Sequence, residues 1–575
     1  MFNKYYQDEL AYLRDMGREF AALHPDSAGW LAQPGVDPDV ERLLEGFAFL
    51  TARIREKLDD ELPEFTHSML QLFWPHYLRP IPSCTVVQFN PKQKAAGKLQ
   101  EIKRGTEVSS APIDETPVLF RTTADIQVSA LRVNELEVGP PSSPYIRIGF
   151  ELSGAQLAKL KLKRLRLFLN GGAAVTRALR LALVRYTSKV TARSGDKEVE
   201  LPRAKVVPGG FGPEEALLPF PPVSMPGYRL MQEYFAFPAK FMFLDLQGLG
   251  PLSELGAGNK FELFFELSTL PHDMPPASAA NVLLNCAPAV NLFKHDADPI
   301  RIDHKRTEYK VRAGGPSPRN FEVYGLSKVV GIRRGDPKPR TYSPFFTFYR
   351  RPTGESRLYK TRIVKSPLQE GTETWITLIG DGKAEELSTE TVSIELSCTN
   401  RALPTNLGLG DLRESTSSSP GQCTFGNVIP CTPPVTPPLD DDLYWSLLSH
   451  LSLNYQSLIN VEALGEVLQL YDFRSRYDRQ AKMALKRRLD GLAGISAGGH
   501  TRLSGGTTVR GTRITVEIDE QKFGGEGETF LFGGVLDEFF AHYVTINSFS
   551  ELHVKGKKFG EVHTWPPRTG ARITL

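Results

Sequence analysis

The sequence predicts a multidomain α+β protein, with an N-terminal helical bundle arm, a β-rich middle and a C-terminal α+β domain. Three observations carry this reading. Apolar residues recur at helical spacing through the first eighty positions. From Cys84 to Cys398 they gather instead into short runs punctuated by Gly and Pro pairs. After Thr432–Pro438, a TPPVTPP run, both textures appear together. The chain has 575 residues, and at about 150 residues per domain that length suits roughly four domains. The expected boundaries are 1–80 for the arm, 81–270 and 271–430 for two β-rich domains, and 431–575 for the C-terminal α+β domain.

Each element has a local reason. Tyr6, Leu10, Leu13, Gly17 and Phe20 mark a first helix, which His24-Pro25 ends because the residue before proline is pushed out of the helical region. A second helix opens at Asp37 as N-cap, with Pro38 at its first position and Asp39 and Glu41 at the positive end of its dipole. Its seam is Val40, Leu44, Phe47, Thr51, Ile54 and Leu58, a coiled-coil-like alternation of fours and threes. A third helix is expected from Pro63 to Trp74. Strands are expected at Cys84–Phe89, Val118–Val128, Leu160–Leu169, Phe261–Leu267, Val282–Leu284, Arg319–Tyr324, Thr374–Ile379 and Thr391–Cys398. The proline run should be stiff extended backbone, acting as a spacer and, with the joint near residues 208–227, as a hinge. Beyond it come helices through Leu443–Leu451 and Val461–Tyr471, a strand pair at Thr507–Ile518, a buried helix at Glu528–Tyr543, and closing strands at Phe549–Val554 and Val562–Trp565.

Lys and Arg number 69 against 66 Asp and Glu, a net charge of +3. That balance argues against a polyanion held by bulk charge, since such binding needs many Lys/Arg–phosphate contacts. Cys84, Cys286, Cys398, Cys423 and Cys431 contain no C-x-x-C pair, so structural zinc and a redox dithiol are not expected, and the thiols read as small core residues. Asp8, Glu9 and Asp15 interrupt what a signal peptide would keep apolar, and no apolar stretch reaches the ~18 residues of a membrane helix. A cytoplasmic location without direct membrane insertion is expected.

The motif search weighs chemistry against packing. Gly494-Ile495-Ser496-Ala497-Gly498 fits the G-x-S-x-G of a hydrolase elbow, but no strand is expected before it and no helix after it. Ser496 therefore reads as a loop residue and not as a nucleophile. His295, Asp296, Asp298, Asp303 and His304 form the best metal-like cluster, outweighed by a turn leading into a salt-bridged strand. The basic runs Lys161, Lys163, Arg164, Arg166 and Arg474 to Arg488 read as solvated faces, with an acidic protein partner as the alternative and, for the second run, nucleic acid as a rival. No catalytic, cofactor-binding or metal-binding residue is assigned, and no enzyme activity is expected. The arm helices stand out because their stripes offer more apolar surface than a three-helix unit hides, to be covered by the chain's own middle domain or by a bundle with another chain.

Longer blocks carry a resemblance. Tyr5–Arg14, Phe20–Pro25, Asp37–Leu50 (DPDVERLLEGFAFL) and Leu58–Pro63 resemble the TssF family, a baseplate subunit of the type VI secretion system. So do Trp74–Pro80 (WPHYLRP), Ala297–His304 (ADPIRIDH), Cys398–Arg401, Ser449–Tyr455 and Trp565–Arg568. The resemblance implies a structural role: wedges built with TssG and a second copy of the chain, below the TssK adaptor, around a spike and under the contractile sheath. It also resembles the wedge proteins of contractile phage tails, whose helices join a bundle with partner chains. The expected partner-binding residues are then Tyr12, Leu13, Phe20, Leu44, Phe47, Ile54 and Leu58. The family brings no catalytic residues and no cofactor.

Overall fold

A computed structural model describes residues 2–23, 37–59, 63–92, 99–154, 162–220, 226–256, 258–302, 306–333, 336–345, 357–366, 370–380, 390–439, 449, 459–504, 507–544 and 548–570. Two compact units are present, one built on residues 1–69 and the other on residues 70–439 and 448–575. The fold class is the expected multidomain α+β. The helix expected through Leu443–Leu451 lies outside the described residues, apart from Ser449.

The first unit holds helix α1 (Phe2–Leu23) and helix α2 (Pro38–Asp59). Asp37 caps α2 as its sequence requires: its Oδ1 accepts the Asp39 N–H at 3.0 Å, which satisfies one of the orphan donors of the first turn. Helix α3 (Pro63–Phe73) begins at a proline and leads into the short turn Pro75–Leu78.

The second unit is dominated by sheets. Cys84–Pro91 lies between Cys286–Val290 and Cys423–Asn427, all antiparallel, so one sheet ties together chain from both sides of residue 270. Val87, Phe89, Phe120, Ala287 and Phe425 fill its core. A second sheet runs in the order Lys197–Glu200, Thr187–Ser194, Lys260–Leu267, Tyr145–Leu152, Leu131–Val138. In it Phe261, Leu263, Phe265 and Leu267 alternate inward, the period-two pattern of a half-buried strand. The longest sheet centres on Glu390–Thr399 against Glu322–Arg333, with Val392, Ile394 and Leu396 buried on alternate positions. The proline run pairs with the body. Ile81 and Val435 exchange backbone hydrogen bonds at 2.8 and 2.9 Å, and the Thr432 N–H donates to the Cys84 carbonyl at 2.9 Å. Prolines cannot donate, so Thr432 and Val435 between them supply the pairing that fastens the run to the body. The joint near 208–227 is likewise pinned where it starts, by the Gly209 N–H on the Phe243 carbonyl at 2.8 Å.

Helices α4 (Ala173–Leu181), α5 (Pro226–Ala236), α6 (Val461–Tyr471), α7 (Arg479–Gly491), α8 (Glu520–Phe523) and α9 (Glu526–Ala541) complete this unit. Asn460 caps α6, accepting the Glu462 N–H at 3.0 Å. Thr507–Ile518 and Phe549–Gly556 pair in parallel, with Ile514 opposite Leu552 and Val516 opposite Val554. Parallel neighbours need a crossover, and the largely buried α9 supplies it. Gly533 sits within α9 because the Trp565 indole lies where a side chain would be; a Cβ there would meet Cη2 at 2.2 Å. All five cysteines are buried thiols, and burial pushes Cys398 up to about 12 and Cys431 up to about 11.

Two buried carboxyls give the body a pH signature. Burial pushes Asp537 on α9 up to about 6 even though Arg568 Nε lies 2.5 Å away, and pushes Asp472 up to about 6. Both folded values lie above the ordinary carboxylate, so the folded state binds these protons more tightly. The penalty for holding each group ionised is present at pH 7 and is relieved as pH falls through about 6 towards 4. Holding each group ionised at pH 7 costs on the order of 2–3 kcal/mol. Buried His563, pushed down to about 4, acts in the opposite sense below pH 6.5. Asp537→Asn isolates the first effect: the gain in melting temperature between pH 7.5 and 5.5 should be smaller in this variant than in the parent. Equal gains would exclude it.

Candidate interaction surface

The arm presents its large side chains outward. Where α1 and α2 meet, the buried side chains are Leu10, Ala21, Ala48 and Ala52, with Leu13, Gly17, Leu44 and Thr51 half-buried. Ala48 and Ala52, one helical turn apart, let the backbones approach closely. Arg14 crosses between the helices, its Nε 2.9 Å from Glu41 Oε1. The opposite faces carry Tyr12, Met16 and Phe20 on α1 and Leu43, Phe47 and Leu50 on α2, all exposed, at steps of four and three. Tyr12 is 59% exposed, Phe47 64% and Leu43 73%. Salt bridges within each helix, Asp15–Arg18 and Asp39–Arg42, lie among them. A helix pair with small residues inside and a Leu/Phe/Tyr stripe outside is suited to receive further helices.

The expected partner-binding residues divide on this geometry. Tyr12, Phe20 and Phe47 lie on the outward stripe, whereas Leu13 and Leu44 are half-buried. The side chains of Ile54 and Leu58 lie outside the described residues. Met16, Leu43 and Leu50, which the sequence pattern places beside the stripes but which are not among the expected contacts, are exposed there too. The signal was present in Ala48 and Ala52, whose small size marks the inner face of α2.

The other candidates take structural places. Ser496 is exposed on the strand Leu492–Ser504, opposite Thr515, and not in the expected loop. The Thr- and Ile-rich partner Thr507–Ile518 supplies a full ladder, which overrides the low strand propensity of its glycines. His295 Nε2 lies 2.8 Å from the Gly314 carbonyl, and its ring stacks on Phe321 with centroids 4.6 Å apart. Asp296 and Asp298 are exposed, while Asp303 and His304 lie outside the described residues. The first basic run is only partly solvated, for Arg166 is mostly buried between Asp245, at 2.7 Å, and Glu215, at 2.5 Å. Arg488 of the second run reaches Glu528 at 3.1 Å. No described helix is long and apolar enough to cross a membrane.

An outward apolar stripe on paired helices, in a chain with a large β-rich body, defines a protein of the assembly class, one that works by joining other chains. The sequence profile of the type VI secretion system TssF family matches residues 1–572. Type VI secretion system component TssF1 of Pseudomonas aeruginosa is 33% identical over 628 aligned residues, covering 100% of this chain and 99% of the relative. A chain of the type VI secretion TssK-TssF-TssG baseplate subcomplex, solved by cryo-electron microscopy, superposes with a TM-score of 0.78 at 32% identity, over 93% of this chain and 99% of that one. A chain of the type VI secretion baseplate complex superposes with a TM-score of 0.64 at 27% identity, over 100% of both. The chain belongs to the TssF family of the type VI secretion system.

Proposed function

We propose that this chain is a non-catalytic structural subunit of the type VI secretion baseplate wedge. It assembles with TssG, a second copy of itself and the TssK adaptor, and helps form the platform for contractile sheath polymerisation. The solved relative stands in a subcomplex with TssK and TssG, which supports TssG and TssK as partners. Recruitment to the inner membrane follows through the baseplate. The observation that carries the reading is the outward stripe of Tyr12, Met16, Leu43, Phe47 and Leu50, which a bundle with partner helices covers.

Burying a large apolar side chain contributes about 1.5–3 kcal/mol. Two aspartates within the stripe should therefore weaken assembly by about 100-fold or more. The full chain carrying Leu43→Asp and Phe47→Asp should fail to co-purify with co-expressed TssG and TssK, while its body melts as in the parent. An undiminished yield of complex would refute the bundle. A parent that behaves as a monomer in their presence would refute the wedge role.

A further inference from the structure

Five side chains from separate parts of the second unit meet at one point. Tyr186 ends the wide helical turn Ala182–Tyr186, a π-helix, a form that is rare and often found at functional sites. His272 lies in the loop after the strand Lys260–Leu267, Glu526 opens α9, and Glu561 and His563 flank the start of the strand Val562–Thr564. His272 Nε2 is 3.1 Å from Glu561 Oε1, and the His272 backbone N–H donates to Glu526 Oε2 at 3.2 Å. The Tyr186 hydroxyl is 2.6 Å from Glu561 Oε2 and also bonds Glu526 Oε1. His563 Nε2 stands 3.8 Å from Glu526 Oε1. One donor atom each from His272, Glu526 and Glu561 lies within 4.8 Å of the others. The His272 ring is held flat on Phe559, with centroids 4.4 Å apart. Beside the cluster a cavity of about 340 Å³, lined by Pro271, Asp273, Glu526, Lys558 and Phe559 among others, leads to solvent.

The proton and charge count does not close. Tyr186 has one hydroxyl proton for two carboxylates. Among the described residues, the ion pairs of Glu526 and Glu561 are with His563 and His272 only, and Arg177 nearby is committed to Glu528 at 2.5 Å. Two adjacent carboxylates at this depth need a compensating cation or a shared proton. The positive end of α9 supplies only about half a charge. An imidazole nitrogen beside the two carboxylates favours the cation and points to its kind. Calcium and magnesium take oxygen ligands almost throughout, whereas a site with an imidazole nitrogen and two carboxylates, open on one side, suits zinc-class metals with water in the remaining position.

We propose that His272 Nε2 and the carboxylates of Glu526 and Glu561 form a binding site for a single zinc-class divalent cation, with Tyr186 orienting both carboxylates. Bound there, the cation staples the loop at His272 to the start of α9 and to the strand that follows Glu561, fixing the C-terminal segment to the central helices. The role is structural and adds no reaction.

The test uses the full chain, stripped with a chelator, dialysed and titrated with zinc chloride, with magnesium chloride as the comparison. The expected result is about one zinc per chain and a raised melting temperature, with no response to magnesium at the same concentration. His272 is half exposed, so His272→Ala should fold, and its melting temperature without metal checks this. Zinc uptake should be lost in His272→Ala and in Glu561→Gln. Tyr186→Phe, which removes an orienting partner, should bind about 10-fold to 100-fold more weakly. Zinc uptake that survives both ligand variants, an equal response to magnesium, or no uptake by the parent would each overturn the site, the last in favour of a shared proton.

Discussion

Glu233→Ala should destabilise the body by about 3–5 kcal/mol, the range seen when one partner of a buried ion pair is removed. Glu233 on α5 is fully buried, and so is Lys240, whose Nζ donates to Glu233 Oε2. Glu233 Oε1 accepts the Leu217 N–H at 2.7 Å, and Arg229 Nε lies 4.0 Å from Oε2. Burial pulls the Lys240 ammonium below its ordinary value while Glu233 opposes the shift. Removing Glu233 therefore strands an ammonium and a backbone donor, and takes the neighbouring carboxylate from Arg229, which keeps the Gly212 and Phe211 carbonyls. Lys240→Met should cost less, because Glu233 keeps Arg229 and the Leu217 amide. Glu233→Leu combined with Lys240→Met should recover part of the loss, since replacing both charges removes the desolvation penalty along with the attraction. Chemical denaturation of the three variants reads the order directly. A Glu233→Ala midpoint equal to that of the parent would contradict it.

What the sequence revealed, and what it withheld, follows from the range of the forces involved. Asp37 with Pro38, Asn460 before Val461, and Pro63 act within one helical turn, and the helices they open were readable. The alternation in Phe261–Leu267 was equally local. The pairing of Cys84–Pro91 with Cys286–Val290 and Cys423–Asn427 was not, because partners some two and three hundred positions away leave no spacing signature. The same holds for single letters. His272, Glu526 and Glu561 have no motif between them, whereas the compact cluster around His295 drew attention, and His295 itself is held by a backbone carbonyl and by ring stacking. The arm shows an intermediate case. Period alone found the apolar stripes of α1 and α2 but assigned Leu44 and Leu13 to the outer face. Side-chain size supplied the missing information, since the alanines turn inward and Leu43 and Leu50 turn out.

Glu528→Ala should be comparably damaging, again by about 3–5 kcal/mol, because one carboxylate there serves four helices. Glu528 lies in the first turn of α9 and is fully buried. Its Oε2 is 2.5 Å from Arg177 Nε of α4, and its Oε1 is 3.1 Å from Arg488 Nη2 of α7. The Tyr234 hydroxyl of α5 donates to the same Oε1. Arg488 also lies over the Tyr234 ring, 5.4 Å from its centroid, so the guanidinium is held by both charge and aromatic face. Two arginines around one carboxylate make the variants unequal. Arg177→Met or Arg488→Met leaves Glu528 with a remaining cation and should cost about 1–3 kcal/mol. Glu528→Ala leaves two half-buried guanidiniums and a buried tyrosine hydroxyl without their shared acceptor. Glu528→Gln should fall between, since it keeps the volume and an acceptor but not the charge. The three losses should also fail to add: once Glu528 is gone, replacing Arg177 should restore stability by relieving like-charge repulsion, a coupling of about 1 kcal/mol or more. Losses that sum without coupling, or a Glu528→Ala protein within about 1 kcal/mol of the parent, would mean that the helices are held by their apolar contacts alone. The carboxylate would then be a tolerated charge and not the joint.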